Sequence, residues 1–332
     1  MKSKSVKIML GAAGVLLLLA GAFLLLGPGK APGDGSQKLI LEVMPGMGIQ
    51  KVTDTLAAEN MLSNPAYFRW LVRWTGGGKI KAGVYELNNG MTAGKIASIL
   101  TEGKVRMLSI TVPEGYHNRQ IAELLTEKKL VSSPAEFLKI AEDPEILKKY
   151  NIPAKNTEGY LFPETYSVPY GYSAARLHEL MIKQFFAKLK EAEPPAGITP
   201  EDLHKRVVLA SIIEREAQKK DELPIMAQVF LNRLDQRMKL ESCATIQYLF
   251  ERPHKKLYER DLVIQSPYNT YIHRGMPPGP ISNPGVAALR AAFHPTPTEN
   301  LFFVLKPDGS HHFSKTFKEH QAAKREFLDS QT

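Results

Sequence analysis

The chain has one cysteine, Cys243, in 332 residues. No internal disulfide can form, so stability must come from a packed core, and a lipoprotein anchor at the N-terminus is excluded. Metal-ligand spacing is missing too. His254, His273, His294, His311, His312 and His320 are scattered, with no His-Glu-x-x-His helix and no Cys-rich cluster. The adjacent His311 and His312, in an expected strand, point to opposite faces. No metal and no other cofactor is therefore expected. There is no basic run interleaved with aromatics, so nucleic acid is a poor fit as a partner. Long apolar runs are absent apart from one, Ile8 to Leu26, uncharged over ~19 residues. That is close to the ~20 residues that span a bilayer as a helix, and longer than the ~7–15 of a signal-peptide core.

The flanks of that run favour an uncleaved anchor. Its small-x-small candidate, Ala20-Gly-Ala22, is followed by Phe23-Leu-Leu-Leu26, so cleavage there would leave a hydrophobic end. Lys2, Lys4 and Lys7 precede the run and mark its cytoplasmic side. The expected organisation is a cytoplasmic tail 1–7, a transmembrane helix 8–27, a Gly/Pro-rich linker 28–37, and two folded regions, 38–150 and 151–332, outside the cytoplasmic membrane. Hydrophobic content of 43% is ordinary for folded protein, and the net charge of +9 suits an anionic partner, either lipid head groups or a cell-wall polymer.

The first region contains a repeat at an offset of 69 residues. Val43-Met-Pro-Gly46 matches Val112-Pro-Glu-Gly115, and Ser63-Asn-Pro-Ala-Tyr-Phe68 matches Ser132-Ser-Pro-Ala-Glu-Phe137. Between the copies Ile80 to Leu87 alternates like a strand, and Thr92 is an N-cap for a helix through Leu100. The expected order is strand–helix–helix–strand–helix, then a second partial copy. The pattern resembles LysM-type modules, which bind amino sugars of peptidoglycan; a strand–helix repeat is equally a packing solution without a ligand.

In the second region, Leu209-Ala-Ser-Ile-Ile-Glu-Arg-Glu-Ala-Gln218 reads as part of a helix from about Pro200 to Lys219. Leu209, Ile212, Ile213 and Glu216 share one face at steps of three and four. Glu214 lies ~200° away with Ser211 and Gln218, on the polar side. Glu216 thus ends an apolar stripe, where poor solvation raises a carboxyl pKa as general-acid chemistry requires. The alternative is a buried Glu neutralised by an Arg. In the next helix, about Ile225 to Leu234, Arg233 is placed to pair with a carboxylate, and Asn232 either hydrogen-bonds an N-acetyl group or caps backbone. Tyr268, Asn269, Thr270 and Tyr271, with the Pro-rich loop Gly275 to Gly285, have the composition of a saccharide cleft or of a rigid structural loop. A C-terminal amphipathic helix is expected over about Ser314 to Phe327.

Ala210-Ser-Ile-Ile-Glu-Arg-Glu216, Val229-Phe-Leu-Asn-Arg-Leu234, Ser266-Pro-Tyr-Asn-Thr-Tyr271 and Gly275-Met-Pro-Pro-Gly-Pro-Ile-Ser-Asn-Pro-Gly285 resemble the signatures of the endolytic murein transglycosylases, the YceG-like family. Gly159-Tyr-Leu-Phe-Pro-Glu-Thr-Tyr166 fits the same family. The resemblance implies an α+β chain with a single N-terminal transmembrane helix, a LysM-like α+β module and a mixed α+β catalytic domain. It also implies a single-pass enzyme of the bacterial inner membrane that cuts peptidoglycan glycan strands internally, with Glu216 as catalytic acid. The same resemblance implies peptidoglycan synthases as partners. The chain departs from the pattern at Cys243-Ala244, where many members carry an Asp-Pro pair. A rival from another class is a non-catalytic, membrane-tethered peptidoglycan-binding scaffold.

Overall fold

Alternation in Lys38–Val43 (β1) turns Leu41 and Val43 inward, and the strand pairs antiparallel with Gly83–Asn88 (β2), setting Leu41 opposite Tyr85. Two helices join them, Ile49–Ala58 (α1) and Pro65–Thr75 (α2). Each buries a pair of residues four apart, Val52 with Leu56 and Phe68 with Val72. A third helix follows, Ala93–Glu102 (α3). Thr92 caps it, accepting from the Lys95 amide at 3.2 Å, and Gly103 closes it in the left-handed conformation. These elements share one apolar cluster. The expected strand–helix–helix–strand–helix order is what this computed structural model has. It describes residues 29–75, 77–251 and 257–327. The expected cytoplasmic tail, 1–7, and transmembrane helix, 8–27, lie outside the described residues. Among the described residues no helix is long and apolar enough to cross a membrane.

The partial second copy begins with Met107–Thr111 (β3), then Asn118–Glu127 (α4) and Pro134–Ala141 (α5). Both helices start 69 residues after their counterparts α1 and α2. A capping box opens α4: His117 Nδ1 accepts from the Gln120 amide, and Gln120 Oε1 accepts from the His117 amide. A short helix, Pro144–Lys149 (α6), and the strand Thr165–Pro169 (β4) follow.

Two compact units result. Among the described residues, one comprises those up to Leu108 together with Ser167–Gly171; the other comprises Ser109–Tyr166 and those from Tyr172 onward. The sequence grouping set both copies of the repeat in 38–150, but the second copy makes its contacts within the second unit. Its helix α5 packs on Ala174–Leu189 (α7), with the Phe137 ring edge-on to His178 at 5.3 Å.

The second unit is built around Pro200–Glu216 (α8), which packs against Leu223–Asp235 (α9), Cys243–Gln247 (α10) and Val286–Phe293 (α11). An antiparallel pair, Phe302–Leu305 (β5) with His311–Ser314 (β6), leads into Phe317–Phe327 (α12). Thr199 caps α8 and Pro200, Glu201 and Asp202 form its first turn, a favourable arrangement for its amide ends and dipole.

Two expectations for this helix are corrected. It stops at Glu216, because Ala217 is extended and Gln218-Lys-Lys-Asp-Glu222 offers no apolar side chain to hold another turn on the core. Its expected polar side is not wet. Ser211 is fully buried: its Oγ accepts from the Ile281 amide at 3.0 Å and its carbonyl accepts from Ser282 Oγ. The Pro-rich loop covers that side and satisfies the polar groups there.

Candidate active site

Glu216 is the last residue of α8 and opens onto a cavity of about 380 Å³. Tyr271, Cys243 and Arg233 contribute to its wall, and α12 adds Phe317, His320 and Lys324. This volume lies within the ~300–1,000 Å³ usual for small-ligand sites. Burial of the Glu216 carboxyl pushes its pKa up, against the lowering effects of Ser242, the Ala244 amide, His311 and Arg215. Its position adds to the rise. The C-terminal end of a 17-residue helix carries partial negative charge, which disfavours a second negative charge on the final side chain.

The hydrogen bonds to Glu216 distinguish its two oxygens. Ser242 Oγ donates to Oε1 in a short contact, and the Ala244 amide reaches the same oxygen at 3.4 Å. Among the described residues, no donor is recorded on Oε2. Oε1, which accepts both hydrogen bonds, is therefore the carbonyl oxygen of the neutral carboxyl, and Oε2 its hydroxyl.

Ser242 is itself held firmly. Its amide donates to Thr270 Oγ1 at 3.0 Å, and Thr270 Oγ1 shares a 2.9 Å hydrogen bond with Thr245 Oγ1. Arg233 donates to the carbonyls of Leu301, Lys239 and Leu240 and pairs with Glu241 at 3.2 Å, so the expected carboxylate partner is Glu241. His311, at the start of β6, is paired with Glu222 at 2.7 Å. The site therefore rests on α8, α9, α10 and the β5–β6 pair rather than on one loop.

Glu214 faces away from the cavity. Its Oε2 accepts from the Gly285 amide at 2.9 Å, and burial raises its pKa. It ties α8 to the end of the Pro-rich loop. A second buried carboxylate, Glu158 at 4% exposure, anchors the same loop. It accepts from the Asn118 amide at 3.0 Å, from Asn283 Nδ2 at 3.2 Å and from Tyr248 Oη at 3.3 Å. Burial outweighs these donors and lifts its pKa to about 8. Asn283 also receives the Leu161 amide on Oδ1, and its backbone exchanges hydrogen bonds with Gly115 and Tyr116.

The residues expected to bind sugar divide. Tyr271 lines the Glu216 cavity, with Oη 3.0 Å from Cys243 Sγ. Tyr268 lies elsewhere, its ring 5.0 Å from that of Tyr248. Asn269 is fully buried; Nδ2 donates to the Leu262 and Ile264 carbonyls and Oδ1 accepts from the Tyr271 amide. Thr270 is the support of Ser242 just described. Asn232 Nδ2 donates to the Thr298 and Asn300 carbonyls, which is the backbone-holding alternative. Sequence reasoning does not point to Ser242, Glu158, Asn283 or Lys324 as site residues, and it weighs His320 only as one of the scattered histidines. Asn283 lies within the Pro-rich loop and Ser242 directly precedes Cys243-Ala244, whereas nothing local marks Glu158 as buried or α12 as a cavity wall.

A model of the YceG-like family matches residues 41–326. An endolytic murein transglycosylase of Bacillus subtilis (strain 168) is 32% identical over 335 residues, covering 95% of this chain and 92% of that protein. One from Streptococcus pneumoniae serotype 2 is 25% identical over 327 residues, covering 89% of this chain and 59% of its own length. The 2.6 Å crystal structure of a yceG-like protein from Listeria monocytogenes matches with a TM-score of 0.58 at 32% identity, covering 88% of this chain and 100% of that one.

Proposed function

Because the chain belongs to the YceG-like family, we propose that it is a membrane-anchored endolytic murein transglycosylase in which Glu216 is the single acid and base. The observation that carries this reading is a carboxyl held toward its neutral form, with Oε1 fixed by Ser242 and the cavity open beside it. Hydrolytic glycosidases commonly use two carboxylates flanking the bond. A lytic transglycosylase needs one. Glu216 protonates the glycosidic oxygen between N-acetylmuramic acid and N-acetylglucosamine, and the substrate's own acetamide stabilises the oxocarbenium-like centre. The Glu216 carboxylate then takes the proton of the muramoyl C6 hydroxyl as that oxygen closes a 1,6-anhydro ring. The acid is regenerated, with no water consumed. An intermediate pKa serves both steps.

Other residues have supporting parts. Tyr271 and the exposed Phe317 offer aromatic surface for sugar rings, and Lys324 and His320 offer donors at the same cavity. The strand–helix–helix–strand first unit is assigned LysM-like glycan binding. The apolar run 8–26 anchors the chain in the bacterial inner membrane, with the enzyme on its outer face. Cleavage inside strands made by a neighbouring synthase would end their elongation.

Digestion of purified peptidoglycan by the full-length chain in detergent, beside Glu216→Gln, tests the reading by mass spectrometry of the products. Anhydro-muramoyl ends from the native chain are expected, with the variant slower by roughly 10²–10⁴-fold, as for loss of a general acid. Reducing ends instead would mean hydrolysis and a second carboxylate. Glycan bound but uncut by the native chain would favour the scaffold.

A further inference from the structure

The chain's two tryptophans, Trp70 and Trp74, lie on α2 with Tyr67, at steps of three and four residues that form one stripe. The rings stack in series. Tyr67 and Trp70 are 5.8 Å apart at 26°, and Trp70 and Trp74 are 6.1 Å apart at 11°. The core face of the helix is occupied by Phe68 and Val72, yet Trp70 is 54% exposed and Trp74 78%. Exposed Arg73 sits within the same stretch. None of this serves the chemistry at Glu216.

Position along the chain suggests what covers the stripe. Gly29 lies against its head: a Cβ there would come within 3.0 Å of Tyr67 Cε1. The Gly29 carbonyl accepts from the Ala93 amide at 3.1 Å, and the carbonyl of exposed Lys30 accepts from Ser63 Oγ at 2.6 Å. The apolar run ends at Leu26, three residues earlier. Three residues reach at most about 10 Å. The run can thus end no further than about 10 Å from Gly29, beside the Tyr67 end of the stripe, a span comparable with the ~5–8 Å that head groups add to each side of a bilayer core.

We propose that Tyr67, Trp70 and Trp74 lie in the head-group layer of the membrane that the run 8–26 enters, with Lys30 and Arg73 on its anionic phosphates. The inference rests on the anchoring reading given under the proposed function. Tyr and Trp favour that layer because a large apolar ring there keeps a polar edge in water. Basic side chains beside them add attraction to anionic lipid. A glycan platform needs free ring faces, and here the inner faces of the rings are turned on one another. Lipid is the better match.

Because no other tryptophan exists in the chain, its tryptophan emission reads this stripe alone. The full-length chain is reconstituted in phosphatidylglycerol/phosphatidylcholine vesicles carrying bromine on the acyl carbons nearest the head group, or none. Alkaline extraction and flotation are run on the same vesicles. The expected result is a chain that resists extraction, with blue-shifted emission losing most of its intensity to the brominated lipid. Trp70→Phe and Trp74→Phe, each leaving one emitter, should both retain the quenching. A chain that resists extraction but emits as fully hydrated tryptophan, unaffected by bromine, would overturn the inference and leave the anchor intact. Release by alkali would overturn the anchor and the inference with it. Emission shifted by soluble peptidoglycan oligosaccharides and not by brominated lipid would assign the stripe to glycan instead.

Discussion

Ser242 sets the protonation of Glu216 as much as any charged neighbour does. Its hydroxyl hydrogen favours the carboxylate, so it holds down a pKa that burial has raised. The acid step needs the neutral carboxyl, and the rate should fall as pH rises through that pKa. In Ser242→Ala the opposing hydrogen bond is gone, the pKa moves further up, and the alkaline limb of the pH–rate profile should move to higher pH. A limb that moves down or stays would remove Ser242 from this role. Glu158 gives a stability prediction of defined sign. Its folded-state pKa, about 8, stands above the ordinary 4.5. Its contribution is therefore whole below 4.5 and lost as pH climbs through about 8. Thermal unfolding of the native chain should weaken across that window, and Glu158→Gln should flatten the fall.

Among the elements, the Pro-rich loop and α8 act as one piece, with Gly159 as the wedge between them. Gly159 has φ +85°, and a Cβ on it would stand 2.6 Å from Pro280 Cγ and 2.8 Å from Val207 Cγ1. Gly159→Ala combines left-handed strain with overpacking, an expected loss of at least about 2 kcal/mol. The midpoint of urea unfolding measures it, and an unchanged midpoint would show that the loop can yield. Much of this layout was legible in the chain. Steps of three and four put Glu216 at the end of an apolar stripe, and the 69-residue offset placed the starts of α4 and α5. What failed was the assumption that the other side of α8 meets water. A helical wheel does not record a neighbouring loop, and Ile281 and Ser282 bury Ser211 from 70 residues away. Asn232, Asn269 and Thr270 are polar groups whose bonding capacity the chain itself takes up. Composition cannot distinguish a group that awaits a ligand from one already engaged.

Across the whole molecule, the net charge is +9, and +6 remains once Lys2, Lys4 and Lys7, on the cytoplasmic side of the proposed anchor, are set aside. If attraction to an anionic wall polymer contributes to binding, co-sedimentation with peptidoglycan should weaken as added salt shortens the screening length from ~10 Å at 0.1 M to ~3 Å at 1 M. Binding indifferent to salt would leave the aromatic and neutral contacts as its source. The path of the chain carries a further consequence. The first unit is completed by Ser167–Gly171, which comes after Ser109–Tyr166 of the second. Neither unit is an uninterrupted stretch of sequence. A stop codon placed after Leu108 would deprive the first unit of that returning segment, and an expression start at Ser109 would leave the second carrying a piece that belongs elsewhere. The chain crosses between the units three times, so a proteolytic nick at one crossing leaves two others uncut. No single crossover point can transfer either unit whole, because each has sequence on both sides of the other's.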